Sequence, residues 1–305
     1  MPIRHYGPRA WVRAERERLA ALRFDRIGVA PLGATVGAEI SGVDLGQLAA
    51  TRSGAVNGLD DATFAEIRRA FYEFKVIFFR DQDISTEDHL ALARRFGELE
   101  EHPFIPAKQG YEQVVQFAKN ERVIGVENIW HHDVTWRVRP SLGSVLRAVD
   151  VPALGGDTLF ADMCAAYEGL APDVKAKIDG AVAVHDFSHT FGRAMTPEKL
   201  AEQREKFPPA RHPVVRAHPV TGRKCLYVNV AFTSHIEGLS RDESDALLEH
   251  LYRQADVPEY QCRFRWQKNS LAFWDNCAVQ HYAASDYDPQ RRVMERVTII
   301  GEEPR

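Results

Sequence analysis

The chain has 305 residues, 45% hydrophobic and 27% charged, the composition of an ordinary globular protein and not of a disordered or fibrous one. Its 39 basic and 43 acidic residues give a net charge of −4, so no global basic field draws it to nucleic acid or anionic lipid. No apolar stretch approaches the roughly 18 residues of a membrane span, and the four cysteines form no CxxC pair, which argues against a disulfide framework and a thiolate zinc site.

These features predict a cytoplasmic protein with neither a membrane nor a nucleic-acid partner. Arg4, Arg9, Arg13, Arg16, Arg18 and Arg23 crowd the N-terminus, but Glu15 and Glu17 interrupt them and no apolar segment follows. A solvated helix or a partner-contacting arm is expected there, and not a transit peptide. Residues 26–45 read as short strands broken by Gly28, Gly33, Gly37 and Gly42. Asp60 or Asp61 can cap a helix in which Phe64, Ile67, Phe71 and Phe74 recur at helical spacing. Val76-Ile77-Phe78-Phe79 has the length and composition of a buried strand. Ser85 and Asp88 form a capping-box signature before a second helix.

From about residue 102 short strand candidates dominate: EQVVQFA, SVLRAV, DTLFA, AVAVHDF, HPVVRAH, CLYVNV, CRFRW, SLAFWD and RVMERVTII. Helices interrupt them from Asp162 to Leu170 and from Ser240, whose partner Glu243 stands three residues on. The polar segment 190–211, with Pro197, Pro208 and Pro209, reads as a long loop or lid. The pattern predicts a mostly β double-stranded β-helix (a cupin-like jelly roll) with helices on one face. Its organisation is an N-terminal extension over 1–25 and a single domain over 26–305 with a lid at 187–211. No G-x-G-x-x-G or Walker-type loop supports nucleotide binding.

Chemistry concentrates in Trp130-His131-His132-Asp133-Val134-Thr135. On an extended segment residues two apart point to one side, so His131 and Asp133 can converge on a cation, or else pair with each other structurally. His132 would face away, as a supporting or surface residue. The best third ligand is His281 in FWDNCAVQHYA. Two imidazoles and a carboxylate on one face of a metal leave open positions, the arrangement of non-haem Fe(II) oxygenases. Eleven residues beyond His281 comes Arg292, and four further Arg296. On a strand these two share a face with Met294 and Thr298. Two inward guanidinium groups suit carboxylate or sulfonate oxygens, unless Glu295 or a nearby aspartate neutralises them or they face water. Trp274-Asp275-Asn276 is as consistent with a structural turn as with support for the ligands.

With W-H-x-D-V-T, G-G-D-T (Gly155 to Thr158) and W-D-N-x-x-x-Q-H-Y-A…R-R-x-x-x-R, the sequence resembles the taurine dioxygenase (TauD/TfdA) family from about Arg26 to the C-terminus. The resemblance implies an Fe(II)/2-oxoglutarate-dependent dioxygenase using O2. His131, Asp133 and His281 would be the iron ligands, and Arg292 and Thr158 would hold the distal carboxylate of 2-oxoglutarate. His102 and Arg296 would bind an acidic substrate group, between walls from Phe191, Phe232, Ile105 and Asn128. Ile105 replaces a tyrosine of taurine enzymes, and Glu127 aligns with their pocket asparagine beside Asn128; these changes argue against taurine itself, and an apolar Ile105 suits a longer alkyl or aryl substituent. The implied reaction hydroxylates taurine, an alkylsulfonate or an alkyl sulfate at the carbon next to the heteroatom, releasing sulfite or sulfate with an aldehyde. An aryloxyalkanoate or other carboxylate dioxygenase is the alternative, and a metal-dependent hydrolase on a cupin-like fold the more distant one. A homo-oligomer, dimer or tetramer, is expected.

Overall fold

The computed structural model describes residues 9–46, 48, 59–123 and 128–305. Helix α1 (Arg9–Ala20) leads to strands β1 (Gly28–Pro31) and β2 (Ala38–Ser41). Helix α2 (Asp61–Phe74) starts where the Asp60 side chain accepts the Thr63 N–H, and stops at Lys75, whose φ of 65° is left-handed. Strand β3 (Val76–Phe79) follows directly. Helix α3 (Thr86–Arg94) begins with the reciprocal Ser85–Asp88 capping box that its sequence predicts. Next come β4 (Ala107–Lys108), β5 (Tyr111–Lys119), β6 (Ser141–Asp150) and β7 (Thr158–Asp162). Helices α4 (Met163–Glu168) and α5 (Pro172–Ile178) precede β8 (Val182–His185), and α6 (Pro197–Lys206) precedes β9 (Ala210–Pro213), β10 (Val215–Ala217), β11 (Lys224–Leu226) and β12 (Thr233–Ile236). Helix α7 (Arg241–Tyr252) and strands β13 (Gln261–Phe264), β14 (Leu271–Asp275), β15 (Val279–Ala283) and β16 (Arg292–Ile300) complete the chain.

The strands form an eight-stranded sheet in the order β1-β2-β3-β14-β6-β16-β5-β4, faced by smaller sheets β13-β7-β15, β12-β8-β9 and β10-β11. The large sheet is covered on both faces, which is why its central strands read as unbroken apolar runs. Val76 and Phe78 face the core between the sheets, with Phe160, Phe264, Trp274 and Met294. Ile77 and Phe79 face the opposite core, with Phe71 and Phe74 of α2 and Phe273 of β14. Rings stack on both sides, Phe78 on Phe264 at 4.0 Å and Phe71 on Phe273 at 4.1 Å. Each such buried side chain contributes about 1.5–3 kcal/mol. Helices α2 and α3 cover the outer face of the large sheet as predicted. Helices α4 and α7 gather instead in a third core beside the smaller sheets, so helices lie on both sides.

Two expectations need correction. Helix α1 is not solvated all round: Leu19 and Glu15 are buried. Glu15 accepts hydrogen bonds from Arg18 at 2.9 Å and Arg223 at 2.7 Å, and lies 3.6 Å from buried Lys75, which itself pairs with Asp162 at 3.0 Å. Burial alone would raise the Glu15 carboxyl, but Arg18, Lys75 and Arg223 bring it down to about 2. The 190–211 segment is not a plain loop either. It holds α6, whose N–H groups begin at Thr196 as N-cap with Pro197 in the first turn, where a proline lacks nothing the helix needs. Of the three prolines that suggested a loop, Pro197 therefore starts a helix, while Pro208 and Pro209 follow its end.

Candidate active site

His131 and His281 face each other across an isolated antiparallel bridge. His131 N–H donates to His281 O at 3.1 Å and His281 N–H to His131 O at 2.9 Å. This rung sets their rings 4.1 Å apart. His131 Nε2 lies 3.9 Å from Asp133 Oδ1, and the donor atoms of His131, Asp133 and His281 all fall within 4.8 Å of one another. The three meet as the sequence anticipates, but by a different local route. Asp133 is not on a strand; it sits in a turn followed by Val134 at φ 46°. His132 is not at the surface. It is fully buried against Tyr227, with ring centroids 4.8 Å apart, and burial pushes its imidazole down to about 3.

The turn is held by a residue 143 positions away. Asn276 Oδ1 accepts the Asp133 N–H at 2.7 Å, and Asn276 Nδ2 donates to Asp133 O at 2.9 Å and to Ser141 O at 3.3 Å. One amide thus replaces the strand neighbour that Asp133 lacks. The carboxylate is fixed separately, Oδ2 accepting from Ser144 Oγ at 3.1 Å and Oδ1 from Arg296 Nη1 at 2.7 Å. Burial would raise the Asp133 carboxyl, but Arg296, His281 and His131 hold it below the ordinary carboxylate range. Ser144 carries no sequence signal, since it lies inside an apolar strand pattern.

This donor set fits a divalent transition cation. His131 Nδ1 lies 2.8 Å from Ile129 O; a carbonyl only accepts, so Nδ1 carries the proton and in the neutral ring Nε2, on the Asp133 side, carries none. His281 Nδ1 is buried with no hydrogen-bond partner among the described residues. Burial and His131 hold the His281 imidazole well below its usual range, in the neutral form a metal requires.

The trio opens on a cavity of about 500 Å³. Arg292 and Thr158 both line it, and both are buried. Gly155 and Gly156 have φ of 80° and 70°, and a Cβ on Gly156 would stand 3.0 Å from Arg292 Nε and 3.2 Å from Tyr287. The double glycine therefore makes room for the arginine as well as for the turn. The Arg292 guanidinium lies 5.5 Å from the Tyr287 ring centroid. Tyr287, like Phe117 and Val123 elsewhere on the wall, has no motif that singles it out.

His102, Ile105, Phe191, Phe232 and Arg296 all line the same cavity. Phe191 stacks near Phe232 at 6.1 Å and meets the His102 ring edge-on at 5.4 Å. His102 Nδ1 accepts the N–H groups of Phe104 and Ile105 at 3.2 and 3.1 Å. Its proton is therefore on Nε2, and burial together with Arg296 pushes the imidazole down to about 3. Asn128 differs from expectation: it is exposed and is not among the cavity's lining residues. Glu127, its alternative in the sequence, lies outside the described residues. Arg296 has a protein anion after all, but it is Asp133 and not Glu295, which pairs with Lys108 at 2.7 Å.

A second group, His218, Asp275 and Cys277, also has donor atoms within 4.8 Å of one another, all buried. His218 Nδ1 accepts the N–H groups of Val220 and Thr221 at 3.1 and 3.0 Å, and its Nε2 lies 2.6 Å from Asp275 Oδ2.

The model of the taurine catabolism dioxygenase TauD, TfdA family matches residues 28–298. The chain is 35% identical to an alpha-ketoglutarate-dependent sulfate ester dioxygenase of Pseudomonas putida over 294 residues, 93% of this chain and 92% of that one. It is 34% identical to an alkylsulfatase of Acinetobacter baylyi over 275 residues, 88% and 83% of the two chains. Its fold matches the crystal structure of a taurine dioxygenase from Burkholderia xenovorans with a TM-score of 0.76 and 36% identity, covering 92% of this chain and 93% of that one.

Proposed function

The chain belongs to the TauD, TfdA family and is a 2-oxoglutarate-dependent dioxygenase; from that premise we propose that it hydroxylates an alkyl sulfate ester or alkylsulfonate at the carbon bearing the heteroatom. The new hydroxyl destabilises that C–O or C–S bond, and an aldehyde forms as sulfate or sulfite leaves. His131, Asp133 and His281 would hold Fe(II), and the iron would supply the activation of O2 that couples 2-oxoglutarate decarboxylation to hydroxylation. The reading is carried by one convergence: a neutral-His/carboxylate trio, an Arg292–Thr158 end and an Arg296–His102 wall share a single cavity.

The chain's own residues divide the work. Arg292 offers the planar fork that a carboxylate of 2-oxoglutarate accepts, with Thr158 beside it. Arg296 gives one N–H to Asp133 and keeps others for the sulfate or sulfonate, while His102 contributes a neutral Nε2–H donor. Ile105, Phe191, Phe232 and Ile129 form an apolar surface that excludes water and accommodates an alkyl chain better than the ammonium end of taurine. No helix among the described residues is long and apolar enough to cross a membrane.

The test is succinate release under Fe(II) and O2 with a panel of alkyl sulfates, alkylsulfonates, taurine and aryloxyalkanoates. Stimulation by medium-chain sulfates or sulfonates above taurine is the expected result. Selective stimulation by aryloxy acids would transfer the assignment to the carboxylate branch of the family.

A further inference from the structure

We propose that Trp266 is a positioning residue: its indole occupies one lone pair of the Thr158 hydroxyl and orients its proton into the cavity, biasing that end toward an anionic oxygen. This rests on the reading of Thr158 and Arg292 as the 2-oxoglutarate end. Trp266 Nε1 lies 2.9 Å from Thr158 Oγ1, and both residues are buried. An indole N–H can only donate, so Oγ1 is the acceptor. A hydroxyl has one proton and two lone pairs. With a lone pair occupied by the indole, and no other partner for Oγ1 among the described residues, the proton remains for whatever enters the cavity beside Arg292.

The donor is held by the fold. Trp266 lies two residues beyond Phe264, which is the register partner of Thr158 on β7, and the Phe264 and Trp266 rings meet edge-to-face at 4.9 Å. Trp266 belongs to the core between the sheets, so its N–H cannot turn away without repacking. The consequence is chemical. A hydroxyl free to rotate serves as donor or acceptor and tolerates an alcohol, an amide or a carboxylate. A hydroxyl already accepting from an indole favours an acceptor-only group. Arg292 supplies charge, and the Trp266–Thr158 pair adds a test for oxygens that carry no proton.

The experiment is equilibrium binding to the Mn(II)-loaded full chain of two ligands: 2-oxoglutarate and N-oxalylglycinamide, an open-chain analogue whose distal group is an amide. Wild type, Trp266→Phe, Thr158→Val, Thr158→Ser and the Trp266→Phe/Thr158→Val double variant are compared. Trp266→Phe is expected to weaken 2-oxoglutarate roughly five- to tenfold and to narrow the preference for carboxylate over amide by a similar factor. In the Thr158→Val background the same change should have little further effect, because the indole acts through the hydroxyl. Thr158→Ser should keep both affinity and preference. Equal loss from Trp266→Phe with and without the hydroxyl, or an unchanged carboxylate preference, overturns the proposal and leaves Trp266 as packing. Should Trp266→Phe fail to fold, the Thr158 pair decides: valine keeping the full preference refutes the selector, and valine losing it while serine retains it supports it. Wild type that binds neither ligand would refute the 2-oxoglutarate reading itself, a result distinct from all of these.

Discussion

The His131–Asp133–His281 and His218–Asp275–Cys277 groups are built from similar side chains at similar spacing, yet only the first fits a cation. The difference is decided on the far side of one imidazole. His131 Nδ1 faces the Ile129 carbonyl at 2.8 Å, so in the neutral ring its other nitrogen carries no proton. His218 Nδ1 faces two backbone N–H groups, so its proton sits on Nε2 and is donated to Asp275 at 2.6 Å. A metal there would have to strip a ring already committed on both edges. None of the second group's members lines the cavity on which the first group opens. Proximity of donor types is therefore a weak criterion; the tautomer imposed by backbone partners discriminates.

The two regions are fused at Asp275-Asn276-Cys277. Asp275 and Cys277 turn into the locked group, while Asn276 between them reaches the other way to hold Asp133. Substitutions along this tripeptide and its partners can break the contrast. The largest expected effect is Asp133→Ala, which should weaken Mn(II) binding on the order of 100-fold or more and abolish 2-oxoglutarate-dependent turnover. His218→Ala should leave the stoichiometry at about one ion per chain by calorimetric titration. A loss of bound metal in the His218 variant would reverse the assignment of the two groups.

Arg292→Ala comes next. Removing a buried charged hydrogen-bond donor should raise the dissociation constant for 2-oxoglutarate by on the order of 100-fold, about 3 kcal/mol, without changing metal affinity. Asn276→Ala should cost roughly tenfold in Mn(II) affinity by freeing the Asp133 turn. Asp275→Asn, one residue away, should instead lower thermal stability by about 2 kcal/mol and spare the metal; matching metal losses in the two variants would show that the tripeptide acts as one unit. Gly156→Ala adds a left-handed alanine and crowds Arg292, so an increase of about 1–2 kcal/mol in the free energy of 2-oxoglutarate binding is expected.

The smallest expected effect is an absence of slope. A histidine that bound the anion as a cation would lose its charge, and its grip, as pH rose through 6.5. His102, pushed down to about 3 and donating from Nε2, is already neutral from pH 5.5 to 8. The affinity for an alkyl sulfate should therefore stay flat across that window. A tenfold fall in affinity centred near pH 6.5 would contradict the neutral-donor role.

Much of this molecule is legible in its sequence because the signals are local. The Ser85–Asp88 and Ser240–Glu243 caps, the apolar run at Val76–Phe79 and the strand periodicity that puts Arg292 and Arg296 on one face depend only on near neighbours. The segment 190–211 shows where local cues mislead, since a proline marks a helix start as readily as a break. Asn128 shows the same for alignment by motif, since it is exposed while its neighbour Ile129 lines the cavity.

By itself the sequence determined which side chains are available for chemistry and on which periodic face most of them lie. Only the tertiary structure decided their protonation, their polarity and their partners. Asn276 reaches Asp133 across 143 positions and Trp266 reaches Thr158 across 108, and no periodicity records such pairings. The physical reason is that a hydrogen bond's direction is set by whichever group the fold places opposite, so the same imidazole is a ligand beside a carbonyl and a donor beside an amide.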